Sequence, residues 1–305
     1  MEKIVPLASA PVKGPRGVAH LPRLWLKCVL AAAGAAPEAY HTGSDMGSNK
    51  TVIEGLGLDP GATLAYLATG PSYIQFEAWV REHASKLDAA SIAAVNAAID
   101  AQQKPADNAA KARAFVGLRD ENERGSSLLN ALDDWETVHA DVKARRGMKI
   151  QPIVPAVSSQ STGPLGLMHL PRFWMKATLD ATGALYDTWN SGHKSGFDVW
   201  FCETIGIDLD AAKAHIETEL PTYLEFEAWV ASHATHVSPA EIAAHNVAMR
   251  ARQKPAEPAA RERALLGITD RPDYQPSIEL NDLVDWHTIH QQAFSSNAPQ
   301  IASKT

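Results

Sequence analysis

Apolar residues recur along most of the chain with the period of a helix. Leu21, Leu24, Cys28 and Val29 form one apolar stripe, while Arg23 and Lys27, four apart, share another face. Pro22 stands where a first helical position is expected, since its missing N–H is harmless there. Gly34 ends the segment, which runs to about Ala33. The same reading predicts helices over 49–56, from Asp59-Pro60 to about 69, from Pro71 to His83, from Ala89 to Gln102, from Ala106 to Gly117 and from Leu128 to Val142. No alternating run predicts a strand, so the expected fold class is all-α.

The pattern then repeats. His20-Leu21-Pro22-Arg23-Leu24-Trp25-Leu26-Lys27 returns as His169-Leu170-Pro171-Arg172-Phe173-Trp174-Met175-Lys176, an offset of 149 residues (169 against 20). After one inserted residue, Pro71 to Val80 returns as Pro221 to Val230, and Gln103-Lys104-Pro105-Ala106 as Gln253-Lys254-Pro255-Ala256. Asp134-Trp135 returns as Asp285-Trp286, and His139 as His290. A repeated unit this long is domain-sized. It predicts two homologous helical domains, 14–143 and 163–297, related by a pseudo-two-fold as in a fused homodimer. Residues 144–162, basic at first and then rich in Pro, Ser and Val, are expected to form an exposed connector.

Composition narrows the function classes. The 305 residues are 45% hydrophobic and 21% charged, ordinary for a globular protein with a real core. A net charge of −7 argues against a nucleic-acid partner, which needs a basic face. No apolar run approaches the roughly 20 residues of a membrane span, and Met1 to Pro15 lacks the apolar core of a signal peptide. Cys28 and Cys202 are not repeat partners and form no CxxC pair. Free, buried thiols in a reducing cytoplasm are expected.

Polar residues kept in both copies are the candidates for chemistry. Arg23 with Lys27, and Arg172 with Lys176, place two cations one turn apart. They would hold a substrate carboxylate or phosphate, or be consumed in ion pairs to Asp198, Glu77/Glu227 or Asp134/Asp285. Tyr73 with Glu77, and Tyr223 with Glu227, share one side of an apolar helix, where a carboxyl in apolar surroundings can serve as acid or base. His20/His169, His83/His233 and His139/His290 recur as well. No compact HxxxH or HExxH spacing is present, and the default for these histidines is burial or capping. The loops at 38–50 and 187–199 differ most: Tyr40-His41 faces Trp189-Asn190, and Asn49 faces Asp198.

The pattern L-P-R-x-x-x-K, followed by a Gly…Tyr element, a Gly-Phe-Asp loop and an L-G-I-D turn, resembles a group of small bacterial helical domains of unknown function, numbered 5069. Arg23/Arg172, Lys27/Lys176, Tyr40, Asp198 and the turns Gly57-Leu58-Asp59 and Gly206-Ile207-Asp208 carry the resemblance. The first copy departs at Asn49, where the pattern has Asp, and the second at Trp189, where it has Tyr. The resemblance implies a helical domain and supplies no activity.

Together these residues lead us to expect a cytoplasmic enzyme, monomeric or homodimeric, acting on a small anionic organic molecule as a hydrolase or lyase without a cofactor. Arg172 and Lys176 would hold the anion, with Tyr223, Tyr73, Tyr40 and His41 as further binding residues. Glu227 and His169 would move protons, and Asp198 would orient a base or Arg172. Arg23, Lys27, Glu77 and His20 are the counterparts in the first copy. The rival readings are a non-catalytic scaffold that binds a small molecule or a protein, and a metal-dependent enzyme with His and Glu ligands.

Overall fold

Side-chain caps set many of the helix starts. The computed structural model describes residues 2–189, 191, 196–271 and 274–294. Ser72, Thr222 and Ser238 each accept from the backbone N–H three residues on, while Gln75, Glu225 and Glu241 reach back to the cap N–H and close capping boxes. Asp59 and Asp208 cap their helices from the side chain as well. We expect Ser238→Ala to lower stability by about 1 kcal/mol, read from the urea midpoint. No measurable change would show that this box is redundant.

Among the described residues the chain is helical, with isolated bridges and no strand. The first half carries α1 (Leu21–Ala32), α2 (Gly47–Gly55), α3 (Pro60–Ala68), α4 (Tyr73–His83), α5 (Ala89–Asp100), α6 (Ala106–Val116) and α7 (Ser126–Ala144). The second carries α8 (Leu170–Ala181), α9 (Phe197–Ile205), α10 (Leu209–Glu219), α11 (Tyr223–His233), α12 (Pro239–Ala251), α13 (Ala256–Leu266) and α14 (Ser277–Phe294). Pro71 was expected inside α4 but lies before it. Its carbonyl instead accepts from Trp25 Nε1–H at 2.8 Å, as Pro221 O accepts from Trp174 Nε1–H at 3.0 Å.

The two halves share one apolar core rather than holding one each. α7 packs on α8 and α11, and α14 packs on α1 and α4. Trp135 meets Tyr223 edge-on at 4.8 Å between ring centroids, and Trp286 meets Tyr73 at 4.6 Å. His139 Nε2–H donates across the seam to Leu220 O at 3.0 Å, and His290 Nε2–H donates to Gly70 O at 2.9 Å. These two repeated histidines therefore serve the seam. His83 and His233 stack on Trp79 and Trp229 one turn earlier, and each bonds through Nδ1 to that residue's carbonyl.

Much of the stretch 144–162 is not an exposed connector. Val154 to Ser159 is buried, with polar groups of the strip taken up by side-chain and backbone partners within the fold. Arg172 donates to Pro155 O (3.0 Å) and Val157 O (2.9 Å), and Ser158 Oγ–H donates to Asp282 at 2.6 Å. Residues 6–10 are buried in the same way, with Arg23 donating to Pro6 O (2.8 Å) and Ala8 O (3.0 Å). Both packed segments precede the boundaries at 14 and 163 read from the sequence. Residues 295–297 of the second expected domain, and Asn190, lie outside the described residues.

Candidate functional site

The site is built on the turn before α8. His169 is the residue preceding that helix and adopts a left-handed backbone, with φ 73°; His20 does the same before α1, with φ 66°. A non-glycine residue there carries strain of order 1 kcal/mol or more and persists only where its surroundings fix it. Here an asparagine fixes it. Asn246 accepts from Met168 N–H (2.9 Å) and donates to Gly166 O (2.8 Å); Asn96 clamps Ala19 and Gly17 likewise.

The clamped turn directs His169 inward. Its Nε2–H donates to Asp198 Oδ1 (2.9 Å), and its Nδ1 accepts from Ser159 Oγ–H (2.9 Å). The carboxylate dictates that tautomer. Lys176, one and a half turns into α8, donates to Asp198 Oδ2 at 2.5 Å. Burial alone would raise the Asp198 carboxyl, but the Lys176 ammonium and the His169 hydrogen bond hold it well below the usual range. Burial pulls His169 down to about 4 despite Asp198 beside it, so the imidazole is neutral near neutral pH.

Beside this cluster opens a cavity of about 530 Å³. Among the described residues His169, Arg172, Lys176, Asp198 and Asp285 line it, with Trp189, Phe197, Leu265 and Val284 as apolar wall and Tyr186 and Thr188 as further polar groups. Arg172 pairs with Asp285, both buried, and Trp189 Nε1–H donates to the same carboxylate at 2.8 Å. Such a volume, with apolar walls and a few convergent polar groups, suits a small organic ligand.

The first half has a similar frame with Asn49 in place of a carboxylate. Arg23 pairs with Asp134 at 2.6 Å, and Tyr40 O–H donates to that carboxylate at 2.7 Å, which together with burial pushes the phenol well up. Asn49 stands where Asp198 does. Its Oδ1 accepts from His20 (2.9 Å) and Lys27 (2.8 Å), while its Nδ2–H donates to Gly43 O (2.7 Å). Ala10 occupies the position equivalent to Ser159, and His20 Nδ1 is buried without a partner among the described residues. Without a carboxylate, burial and Arg23 pull Lys27 down to about 8. His41 is apart from this cluster, pairing with Asp45 on the surface at 2.9 Å.

Residues 156–286 match a family described as Domain of unknown function (DUF5069). His169, Arg172, Lys176, Asp198 and Asp285, and Ser159 behind them, all fall inside the matched range. No curated protein and no solved structure matches the chain.

The remaining expected site residues lie elsewhere. Tyr223 O–H donates to Glu227 at 2.6 Å, and Tyr73 O–H donates to Glu77 at 3.1 Å. Glu77 also accepts from Arg16 N–H at 3.0 Å. Each pair packs under a glycine, Gly163 or Gly14, where an added Cβ would fall within 2.5 Å of the pair's oxygens or of the tyrosine hydroxyl. Burial raises both glutamates, but none of the four residues lines the cavity. Burial likewise raises Cys28 to about 11 and Cys202 to about 12, so both free thiols stay protonated. No group of three or more His, Cys, Asp and Glu side chains is arranged to hold a metal ion among the described residues. No helix among them is long and apolar enough to cross a membrane.

The histidine predicts a pH dependence. In the unfolded chain His169 titrates near 6.5, while in the fold it sits at about 4. Between those values the unfolded state binds the extra proton, so stability falls as pH drops through this window, by up to about 1.4 kcal/mol per pH unit. His20, also lowered by burial, adds with the same sign. Urea midpoints from pH 7 to 4 and the ring ¹⁵N shifts check this. A His169 ring that titrates near 6.5 in the folded protein would contradict it.

Proposed function

We propose that the protein is an enzyme of hydrolase or lyase type, acting on a small anionic organic molecule by acid–base chemistry, with its working site in the second half. The observation that carries this reading is the cavity beside Lys176, Asp198 and His169. Lys176 spends one of its three N–H bonds on Asp198 and has others to offer an anion. An anion seated on Lys176 would weaken the support that holds Asp198 low, making the carboxylate a better base in the complex than in the free protein. His169 has both ring nitrogens in use, so we assign it a positioning role toward Asp198. Arg172 and Asp285 are assigned to the scaffold. So are Glu227 with Tyr223 and Glu77 with Tyr73, which support the turns at Gly163 and Gly14.

We also read the chain as a tandem duplication about a pseudo-two-fold. The reciprocal seam contacts support this: Trp135 on Tyr223 and Trp286 on Tyr73, His139 to Leu220 and His290 to Gly70. On this reading the first copy keeps the frame while Asn49 and Ala10 mark the loss of its site. A cytoplasmic location and a monomeric or homodimeric state belong to the same proposal.

One observation favours a second reading, a non-catalytic binding module. Both cations of the cavity are already paired, Arg172 with Asp285 and Lys176 with Asp198. Incubating wild type and Lys176→Met with a mixture of small carboxylates, hydroxy acids and esters, followed by NMR, separates the two. Consumption of a component by wild type and not by the variant supports the enzyme. A component bound but unchanged supports the binding module.

A further inference from the structure

Three large side chains on the cavity beside Lys176 are aromatic: Tyr186, Trp189 and Phe197. Each is half-buried and leaves part of its ring surface open. At the equivalent positions the first half has Pro37, Tyr40 and Ser48, so two of the three rings belong to the second half alone. The rings are held in place. Trp189 is fixed by its Nε1–H bond to Asp285 (2.8 Å) and meets Tyr186 edge-on at 5.4 Å between centroids. Phe197, the first residue of α9, leans on the His169 ring at 5.0 Å, tilted by 60°.

Arg252, just past the end of α12, holds Phe197 as well. Its guanidinium lies 5.3 Å from the centroid of Phe197 and 4.6 Å from that of Trp200, within reach of a cation–π contact. In the first half the equivalent three residues are joined by hydrogen bonds: Ser48 Oγ–H donates to Gln102 at 2.5 Å, and Gln102 Nε2–H donates to Thr51 at 2.7 Å. Each triplet ties the end of one helix to the start of another, α5 to α2 and α12 to α9. The tie itself needs no ring, as the first half shows. The ring of Phe197 is therefore more than packing requires, and it lines the cavity. Such a wall rewards a flat π-face, because ring pairs gain beyond the apolar area they bury.

We propose that the ligand of this cavity carries an aromatic ring seated against Phe197 and Trp189, with Arg252 as the positioning residue for Phe197. The ligand's anionic group meets Lys176, which rests on the reading proposed above. Phenylacetate, cyclohexylacetate and 2-phenylethanol, titrated into the full chain and followed by NMR on the Trp189 indole N–H signal, test this. A cyclohexyl ring carries at least as much apolar area as a phenyl ring, so burial alone gives phenylacetate no advantage. Phenylacetate is nevertheless expected to bind roughly two- to tenfold tighter than cyclohexylacetate. Phe197→Leu should erase that preference while cyclohexylacetate still binds. Arg252→Gln, which borrows the first half's residue, should reduce the preference and leave cyclohexylacetate affinity unchanged. Cyclohexylacetate binding as tightly as phenylacetate, or an unchanged preference in Phe197→Leu, would overturn the ring seat and leave the anion reading standing. An unchanged preference in Arg252→Gln would overturn the role of Arg252. Binding of 2-phenylethanol as tight as that of phenylacetate would support the ring seat and overturn the anion reading. No saturable shift with either phenyl compound would overturn the ring seat.

Discussion

Replacing Arg172 with Met is expected to lower the unfolding free energy by about 3–5 kcal/mol, the cost of leaving one partner of a buried ion pair uncompensated. Asp285 is 1% exposed and, among the described residues, would keep Trp189 Nε1–H as its side-chain donor. The carbonyls of Pro155 and Val157 would lose their donor at the same time. The loss therefore spreads from α8 to α14 and to the buried strip 154–159. The double variant Arg172→Met with Asp285→Leu should recover much of the loss, since two apolar residues remove the stranded charge. Urea denaturation of the three proteins checks this. A single-variant loss under about 1 kcal/mol would mean that water reaches Asp285 and that the pair is not sealed.

Asp198→Asn should behave oppositely, keeping the fold and losing the site. The chain supplies its own precedent, since Asn49 accepts from His20 and Lys27 in the frame that Asp198 occupies beside His169 and Lys176. The carboxylate of Asp198 is held low in the fold, so its contribution is present above the unfolded value of about 3.9 and is lost as pH falls below it. The stability advantage of wild type over this variant should accordingly shrink on acidification and vanish in strong acid. Turnover of any component found in the mixture experiment should be lost at neutral pH. Full turnover with Asn at 198 would remove Asp198 from the chemistry.

The helices were legible in the sequence because capping residues, Pro and Gly mark their ends, and in α4 and α11 burial follows the 3.6-residue period, whereas α1 and α8 are buried on every side over Leu21–Leu30 and Leu170–Leu179. The Arg and Lys of the HLPR stretch were legible as a place where charge had to be answered. Their partners were less so. Asp134 lies 111 residues from Arg23, and nothing local distinguishes it from Glu77 as the acid that answers. The Tyr–Glu pairs looked catalytic because an acid on an apolar helix gives the same pattern whether it faces a substrate or the backbone of a turn. The strip around Ser159 looked like linker because Pro, Ser and Val without periodicity read as loop. Its burial comes from Arg172, which no window around 159 contains. The left-handed histidines had one signal, the recurrence of His-Leu-Pro at 20–22 and 169–171, and it did not reveal the backbone angle.

The central claim is that the Lys176–Asp198–His169 cluster, and not its counterpart in the first half, is where a ligand acts. A thermal-shift series on wild type and Lys176→Met, over a panel of small carboxylates and phosphate esters, tests it most directly. We predict that at least one compound raises the wild-type melting temperature in a saturable way and leaves the variant unmoved. Equal shifts in both proteins, or none in either, would contradict the account.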